Sequence, residues 1–132
     1  FRAEQAPINY VDFAVATPVV DYDVTPIGLE NRNLRMVGVG FAGSDLVSAV
    51  VNIYNVMQLG YTPVGFDVSP VKRNDRVVKT GRTTGVTAGV VLLESAVITV
   101  NIGAGTAVFA DVIVTSKMLE PGDSGSPVFI EV

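Results

Sequence analysis

The sequence predicts a mainly β protein, built as a small antiparallel barrel or sandwich. Valine, threonine and glycine recur along the 132 residues while strong helix formers are sparse, a balance that favours strands and tight turns. Hydrophobic residues make up 48% of the chain and charged residues 17%. This composition argues against disorder and supplies the core of one domain, whereas the length is too short for two ordinary domains.

The first half of the chain contains two predicted strands and one predicted helix. Residues 8–16, INYVDFAVA, predict a buried strand that contains a single charge, and residues 35–42 predict a second strand. Between residues 45 and 59, apolar side chains recur every three or four positions. This spacing predicts a helix with its cap at Ser44 or Asp45.

The second half of the chain predicts strands joined by tight turns. Residues 75–80 and 86–93 flank a glycine-rich turn and predict a hairpin. Residues 96–100 and 107–114 predict a second hairpin, and a last strand begins at Val128. Several short strands within about sixty residues are typical of a small antiparallel barrel or sandwich.

Charge and composition exclude several classes of function. Thirteen acidic residues against nine basic ones give a net charge of -4, and no Lys/Arg cluster could neutralise a run of phosphates, so we expect no nucleic-acid partner. The chain has no histidine and no cysteine, which removes disulfides and most zinc chemistry. No apolar run approaches the roughly 18 residues of a membrane span. We therefore expect no metal, cofactor or membrane span, and the compartment stays open.

The segment GDSGSP, residues 122–127, carries the sharpest chemical signal. A serine hydroxyl becomes a nucleophile only when a base takes its proton and donors stabilise the oxyanion. Flanking glycines allow the backbone to bend tightly and to turn its N–H groups toward a substrate carbonyl. Ser124 is therefore the expected nucleophile, and the N–H groups of Gly122 and Ser124 are the expected oxyanion donors. An ordinary polar turn is the alternative interpretation.

The order of catalytic groups separates the types of serine hydrolase. The α/β-hydrolase motif needs a glycine where Ser126 stands, and only eight residues follow Ser124. The subtilisin order needs a histidine between the acid and the serine, and this chain has none. Only the chymotrypsin order, histidine then aspartate then serine, survives, with a histidine upstream of Phe1.

Asp12 is the expected catalytic acid. It lies in an apolar segment, VDFAVA, where a buried carboxylate would be costly without a partner. A histidine N–H would provide that partner. The alternative interpretation is an aspartate at a strand edge that faces solvent.

Together these segments resemble the chymotrypsin-like serine proteases. GDSGSP resembles the nucleophile motif of that family, and DFAVA, residues 12–16, resembles the segment that carries its aspartate. GRTTG, residues 81–85, is similar to the start of the second barrel in the bacterial alpha-lytic protease branch. The resemblance implies a chymotrypsin-like antiparallel β-barrel protein. Residues 1–74 would hold the end of the first barrel and a linker with the helix, and residues 75–132 an incomplete second barrel.

The resemblance also implies roles for single residues. Ser124 would attack a peptide or protein substrate, an upstream histidine would act as base, and Asp12 would orient that histidine. Arg82 would pair with Asp123 and hold the oxyanion loop in shape. Met118, six residues before the nucleophile, falls on the floor of the specificity pocket, where it would favour apolar or small side chains. A core role for Met118 is the alternative.

The sequence departs from the family's pattern in three ways. It has no histidine, it ends before the segment that lines the specificity pocket and pairs with substrate, and the predicted helix has no counterpart in the alpha-lytic branch. We therefore expect the chain alone to be inactive. Because an incomplete barrel leaves open strand edges, we also expect a partner, either the remainder of its own chain or a second copy.

Two other interpretations stay open. A protease-like scaffold without catalysis, serving in binding or assembly, is favoured by the missing histidine. A serine hydrolase with a lysine base would draw on Lys72, Lys79 or Lys117, and such a lysine must be desolvated to act near neutral pH. All three lie among polar neighbours or at strand ends of the predicted structure.

Overall fold

Strands dominate the computed structural model, which describes residues 7–101 and 103–132 and confirms the predicted mainly β class. The helical structure in these ranges has neither the length nor the apolar character of a membrane-spanning helix. The elements in chain order are β1 Ile8–Asn9, β2 Leu34–Gly43, β3 Val47–Asn52, α1 Ile53–Met57, β4 Asp67–Val68, β5 Arg76–Gly81, β6 Gly85–Asn101, β7 Thr106–Ser116 and β8 Pro127–Glu131.

Six strands form a closed circuit of hydrogen-bonded pairs. Their order is β7-β3-β2-β8-β5-β6, and β6 also pairs with β7. All six pairings are antiparallel. One sheet thus contains strands from both sides of the expected division between residues 74 and 75. An incomplete barrel with open strand edges was expected, but β2 lies beside β8 and completes the circuit.

The core lies between strands on opposite sides of the circuit. Alternation along β5 places Val77 in this core and Val78 on the opposite face, as the two-residue period of a strand requires. On that opposite face, Val78 packs with Leu29 and Phe129, so the segment before β2 is anchored to the sheet. The core consists of Val37, Val50, Val77, Val91, Ile113, Met118, Leu119 and Val128.

The predicted helix over residues 45–59 is wrong over most of its length. Val47–Asn52 forms β3, which pairs with β2 and with β7. Both faces of β3 are buried, so its apolar residues show no two-residue alternation, and short apolar runs of this kind fit either period. The helix begins only after Asn52, whose side chain accepts a hydrogen bond from the Tyr54 N–H at 3.0 Å.

The expected helix cap at Ser44 instead closes the turn between β2 and β3. The Ser44 hydroxyl oxygen accepts hydrogen bonds from the N–H groups of Leu46 and Val47, at 3.3 and 3.2 Å. Serine makes such local bonds in turns as readily as at helix caps. The end of the helix agrees better with the prediction, because Gly60 follows it with a φ of 96° and donates its N–H to the Met57 carbonyl.

The predicted strand over residues 8–16 is also much shorter in the structure. Only Ile8–Asn9 pairs with a neighbour, in parallel with Val108 and Phe109 of β7. From Tyr10 to Thr25 the described chain has no regular structure and is largely exposed. The predicted hairpins agree more closely, except that β6 is one strand of 17 residues that pairs with both β5 and β7.

Candidate functional site

Ser124 lies on the loop between β7 and β8, residues 117–126, and its side chain is exposed. We call this segment the nucleophile loop, after the role predicted for Ser124. The glycines on either side of the Asp123–Ser124 pair, Gly122 and Gly125, have φ values of 99° and 90°, a conformation that glycine adopts without strain. The Ser124 hydroxyl donates a hydrogen bond to the Phe41 carbonyl oxygen at 3.1 Å. Two segments that are far apart in the sequence therefore meet at the predicted nucleophile.

Asp123, the residue before Ser124 in this loop, is fully buried. Its carboxylate accepts hydrogen bonds from the Thr84 hydroxyl at 2.6 Å and from the N–H groups of Thr83, Glu120 and Thr84 at 2.9, 3.0 and 3.1 Å. Burial alone would raise the pKa of the Asp123 carboxyl. The hydrogen bonds from Thr84, Glu120 and Thr83 outweigh burial and hold the pKa well below its ordinary value. Asp123 therefore stays ionised inside the protein.

The cation that contacts Asp123 is Lys79. The family resemblance implies Arg82 in this role. Lys79 is fully buried, and its Nζ lies 3.5 Å from Asp123 Oδ2. The same Nζ donates to the Thr84 hydroxyl at 2.6 Å and to the Gly85 carbonyl at 2.8 Å. Lys79 is two residues after the core residue Val77 on β5, so strand alternation alone would have directed its side chain inward.

Arg82 is exposed, in the turn between β5 and β6. A Cβ atom placed on Gly122 would lie 3.5 Å from Arg82 Nη1, so the guanidinium group stands next to the nucleophile loop. Within the described part of the chain, the ion pair of Asp123 is the one with Lys79. Arg82 thus faces solvent beside Gly122 while Lys79 neutralises Asp123.

The backbone of the nucleophile loop leaves two N–H groups available. Asp123, Gly125 and Ser126 donate theirs to carbonyl groups at 2.9, 2.7 and 3.1 Å. The N–H groups of Gly122 and Ser124 donate no hydrogen bond to any residue that the structure describes. These two are the predicted oxyanion donors, and their hydrogen-bonding capacity is free for a ligand.

Position 122 requires glycine because there is no room for a side chain, as well as because of its φ angle. A Cβ atom at this position would collide with Thr83 Oγ1, and Thr83 is fixed because its hydroxyl donates to the Pro121 carbonyl at 2.8 Å. Gly125 has nothing within 4 Å of the corresponding point. The loop therefore tolerates no side chain at Gly122, whereas Gly125 needs glycine only for its backbone conformation.

Ser126, the second serine of the motif, has a different environment from Ser124. It is buried, and its hydroxyl donates to the Asp123 carbonyl oxygen at 2.5 Å. Its backbone also joins β2, because the Ser126 carbonyl accepts the Gly40 N–H at 2.8 Å. Ser126 supports the loop, and Ser124 is the serine that a ligand can reach.

Asp12 lies in an exposed, irregular segment rather than in the buried strand that was expected. Its neighbour Phe13 packs edge to face against Tyr61, with ring centroids 5.4 Å apart. No hydrogen bond or ion pair joins the Asp12 carboxylate to another described residue, and Asp12 is absent from the lining of the cavity at Ser124. The structure therefore builds the nucleophile loop without bringing the predicted acid into contact with it.

Met118 lies in the core, with 4% of its surface exposed. Its sulfur would be 3.0 Å from a Cβ atom placed on Gly89, and its N–H and carbonyl are bonded to the hydroxyls of Ser48 and Thr87 at 2.9 and 2.7 Å. This environment agrees with the alternative core role of Met118.

The three lysines weighed as bases occupy different environments. Lys72 is exposed, and Lys117 lies 3.6 Å from Glu120 in a partly exposed ion pair. Only Lys79 is desolvated, and its Nζ contacts Thr84, Gly85 and Asp123. These contacts point the Lys79 ammonium group at Asp123 and the turn between β5 and β6 rather than at the exposed Ser124 hydroxyl, so this arrangement does not favour a lysine base.

The Ser124 side of the loop borders a cavity of about 480 Å³. One wall is the nucleophile loop with Gly81 and Arg82, and the other is the segment from Asp23 to Ile27. Across the described ranges, no group of three or more acidic side chains is arranged to hold a metal ion. The chain matches no protein-family model, and searches of the curated proteins and of the solved structures return no significant match.

Proposed function

We propose that this chain is the nucleophile-bearing part of a chymotrypsin-like serine endopeptidase, whose histidine base comes from another segment or another chain. The observation that carries the proposal is the construction of the Ser124 loop. The exposed Ser124 lies in the same loop as two unbonded N–H groups, its own and that of Gly122, on a backbone anchored by the buried Asp123–Lys79 pair. A polar turn with no chemical role has no need of a buried ion pair beneath it, because such pairs are costly to desolvate.

The anchoring of Asp123 supports a preformed oxyanion site. Its carboxylate accepts hydrogen bonds from the turn between β5 and β6 and from Glu120, and the Thr83 hydroxyl donates to the Pro121 carbonyl. The peptide units that carry the N–H groups of Gly122 and Ser124 therefore have little freedom to rotate. Donors that are fixed before the reaction stabilise developing negative charge without a reorganisation cost. The N–H groups of Gly122 and Ser124 would then bind the oxyanion of the tetrahedral intermediate.

The edge of β2 supports a peptide as the substrate. Pairing between β2 and β8 ends at Val39 and Pro127, while β2 continues to Gly43. Beyond that pairing, Phe41 lies next to Ser124, whose hydroxyl donates to the Phe41 carbonyl, and Ala42 and Gly43 extend the strand. An extended peptide could add to this edge as a further strand. In the family it resembles, the substrate-pairing strand follows the nucleophile in the sequence, and here β2 would serve from upstream.

The closed circuit of six antiparallel strands agrees with a barrel of the chymotrypsin-like kind. The circuit needs no strand from a partner, so the partner that we propose would supply chemistry rather than close the sheet. A histidine must come from another segment or another chain, because this sequence contains none.

In the proposed reaction, Ser124 Oγ bonds to the substrate carbonyl carbon while an external imidazole takes the hydroxyl proton. The tetrahedral intermediate collapses when the carbon–nitrogen bond breaks and the imidazolium gives its proton to the leaving amine. Water then attacks the acyl ester on Ser124 by the same route, and releases the acid. Each step needs the imidazole, so the isolated chain should turn over poorly or not at all.

Fluorophosphonate labelling in the presence of free imidazole tests this proposal. Imidazole can replace a missing histidine as the base, so the labelling rate at Ser124 should rise with its concentration. Exposed Ser44 is the internal reference, and Ser124→Ala is the control variant. If Ser124 is labelled no faster than Ser44 at any imidazole concentration, the serine is not an activated nucleophile and the proposal fails.

A protease-like scaffold without catalysis is the second candidate. It is favoured by the absence of histidine, by the exposed position of Asp12 and by the Ser124 hydroxyl donating to a backbone carbonyl. On this account Ser124→Ala would leave binding and assembly unchanged, and imidazole would not accelerate labelling.

A further inference from the structure

The turn that carries Arg82 is clamped against the nucleophile loop on both sides. At Gly81 a Cβ atom would lie 2.5 Å from Asp123 Oδ1, so the Gly81 backbone packs directly against the buried Asp123 side chain. After Arg82, the Thr83 N–H donates to Asp123 Oδ1 at 2.9 Å. The backbone of Arg82 is thus held in a fixed position, from which its exposed side chain reaches the point next to Gly122.

Lys79 leaves the charge of Arg82 available for a ligand. Asp123 is the acidic residue next to Ser124, and it is buried and neutralised by Lys79 from below. Arg82 instead contributes its positive charge to the lining of the cavity that also contains Ser124 and Gly122. A guanidinium group binds carboxylates through paired hydrogen bonds.

The opposite wall of the cavity restricts where an acidic group could bind. Asp23 Oδ1 accepts hydrogen bonds from the N–H and the hydroxyl of Thr25, at 2.8 and 2.7 Å, and these bonds lower the pKa of the Asp23 carboxyl. Asp23 is therefore negative, whereas Ile27, on the same wall, is apolar and 81% exposed. A carboxylate entering the cavity would be repelled from Asp23 and attracted toward Arg82.

Ser124 borders both the cavity and the end of β2, and different residues form these two surroundings. Phe41 contacts the Ser124 hydroxyl, but Phe41–Gly43 is absent from the described residues that line the cavity. If the acyl part of a substrate pairs with β2, the chain on the leaving side of the scissile bond continues into the cavity. We infer that this cavity binds the leaving-group segment of a peptide and that Arg82 pairs with an acidic side chain on that segment. The direction of the peptide rests on the proposed function.

A titration followed by two-dimensional ¹H–¹⁵N NMR tests the inference without requiring catalysis. The probes are the peptide amides Ala-Glu-Ala and Ala-Gln-Ala, together with Ala-Gln-Ala ending in a free carboxylate. We expect the Glu peptide to shift the amide signals of Gly81 and Gly122 and to bind about two- to fivefold more tightly than the Gln peptide amide, as is usual for an exposed ion pair. Added salt should reduce this preference.

Two variants complete the test. Arg82→Gln should abolish the preference for the Glu peptide, whereas Arg32→Gln, at an exposed arginine paired with Glu131, should keep it. Equal binding of the two amides, or a preference that survives Arg82→Gln, would overturn the inference. Selective binding of the free carboxylate peptide would overturn it in favour of chain-end recognition. Ser124 labelling is scored separately, so a failure of the proposed nucleophile can be told apart from a failure of this site.

Discussion

The surroundings of Ser124 and of Asp12 differ sharply. Around Ser124 the loop is held by a buried ion pair, by four hydrogen bonds to Asp123 and by backbone bonds to Gly40 of β2. Around Asp12 the chain is irregular and exposed, with an edge-to-face contact between Phe13 and Tyr61. The first region is held by contacts among the described residues, whereas the second has the apolar sequence of a buried strand and is covered by no sheet of the described structure.

This difference indicates which half of the proposed site depends on something else. The loop that carries Ser124 is held by contacts among the described residues of the chain itself. The acid and base half would need an element that covers the exposed apolar side chains near Asp12, among them Val15 and Val19, which are 62% and 96% exposed. Changes near Ser124 should therefore have large effects on the isolated chain, and changes near Asp12 small ones.

Lys79→Met should give the largest effect. It leaves the Asp123 carboxylate buried without a cation, which costs about 3–5 kcal/mol of unfolding free energy. Urea unfolding measures this, with Lys72→Met at an exposed lysine as the matched control and an expected change of less than about 0.5 kcal/mol. Adding Asp123→Asn to Lys79→Met should recover part of the loss, because it removes the stranded charge. Equal stability of the Lys79 and Lys72 variants would contradict the buried pair.

Gly122→Ala should abolish imidazole-dependent labelling of Ser124, while Gly125→Ala should retain part of it. Both glycines have a φ near 90–100°, so both substitutions carry a backbone cost of about 1–2 kcal/mol. Only at Gly122 does the new methyl group also collide with Thr83. Labelling rates that fall by the same factor in both variants would show that the close contact with Thr83 has no role in shaping the loop.

Protonation of the Asp123 carboxylate should make the protein less stable in acid. Its folded pKa lies below the ordinary 3.8, so its stabilising effect is complete above that pH and is lost as pH falls toward the folded value. The unfolding free energy should decrease below about pH 4 with a slope of up to about 1.4 kcal/mol per pH unit from this group. Asp123→Asn should remove most of this slope, and Asp23→Asn, at an exposed carboxylate, much less. A slope unchanged by Asp123→Asn would contradict the assignment.

Asp12→Asn should have the smallest effect. The side chain is exposed in this chain, so the change in unfolding free energy should stay within about 0.5 kcal/mol, and labelling of Ser124 in imidazole should be unchanged. A loss of labelling comparable to that of Gly122→Ala would show that Asp12 already acts on Ser124 without a partner.

Local patterns predicted the parts of the fold that depend on neighbouring residues. The turn between β5 and β6 and the GDSGSP loop are short segments whose glycines and apolar flanks determine their shape. The failure at β3 has a physical reason, since a strand buried on both faces loses its alternation. The burial of Lys79 could have been predicted by extending the two-residue alternation of β5 from Val77.

Other features depend on contacts that no local pattern contains. The contact between Ser124 and Phe41 joins residues 83 positions apart, and the place of β2 beside β8 depends on the whole circuit of strands. The exposure of Asp12 is equally non-local, because its apolar neighbours predict burial and only the absence of a covering element in the described structure prevents it. Pairing Asp123 with Lys79 instead of Arg82 likewise required knowing how the turn and the loop pack.

The most direct test of the central claim is ¹¹B NMR of a peptide boronic acid bound to this chain. Boron becomes tetrahedral when a serine oxygen bonds to it, and the negative charge that results needs the same N–H donors as an oxyanion. We predict a tetrahedral boron signal with the unmodified chain, its loss in Ser124→Ala, and its weakening in Gly122→Ala. Boron that stays trigonal with the unmodified chain at high protein concentration would contradict the claim that this chain builds the nucleophile loop by itself.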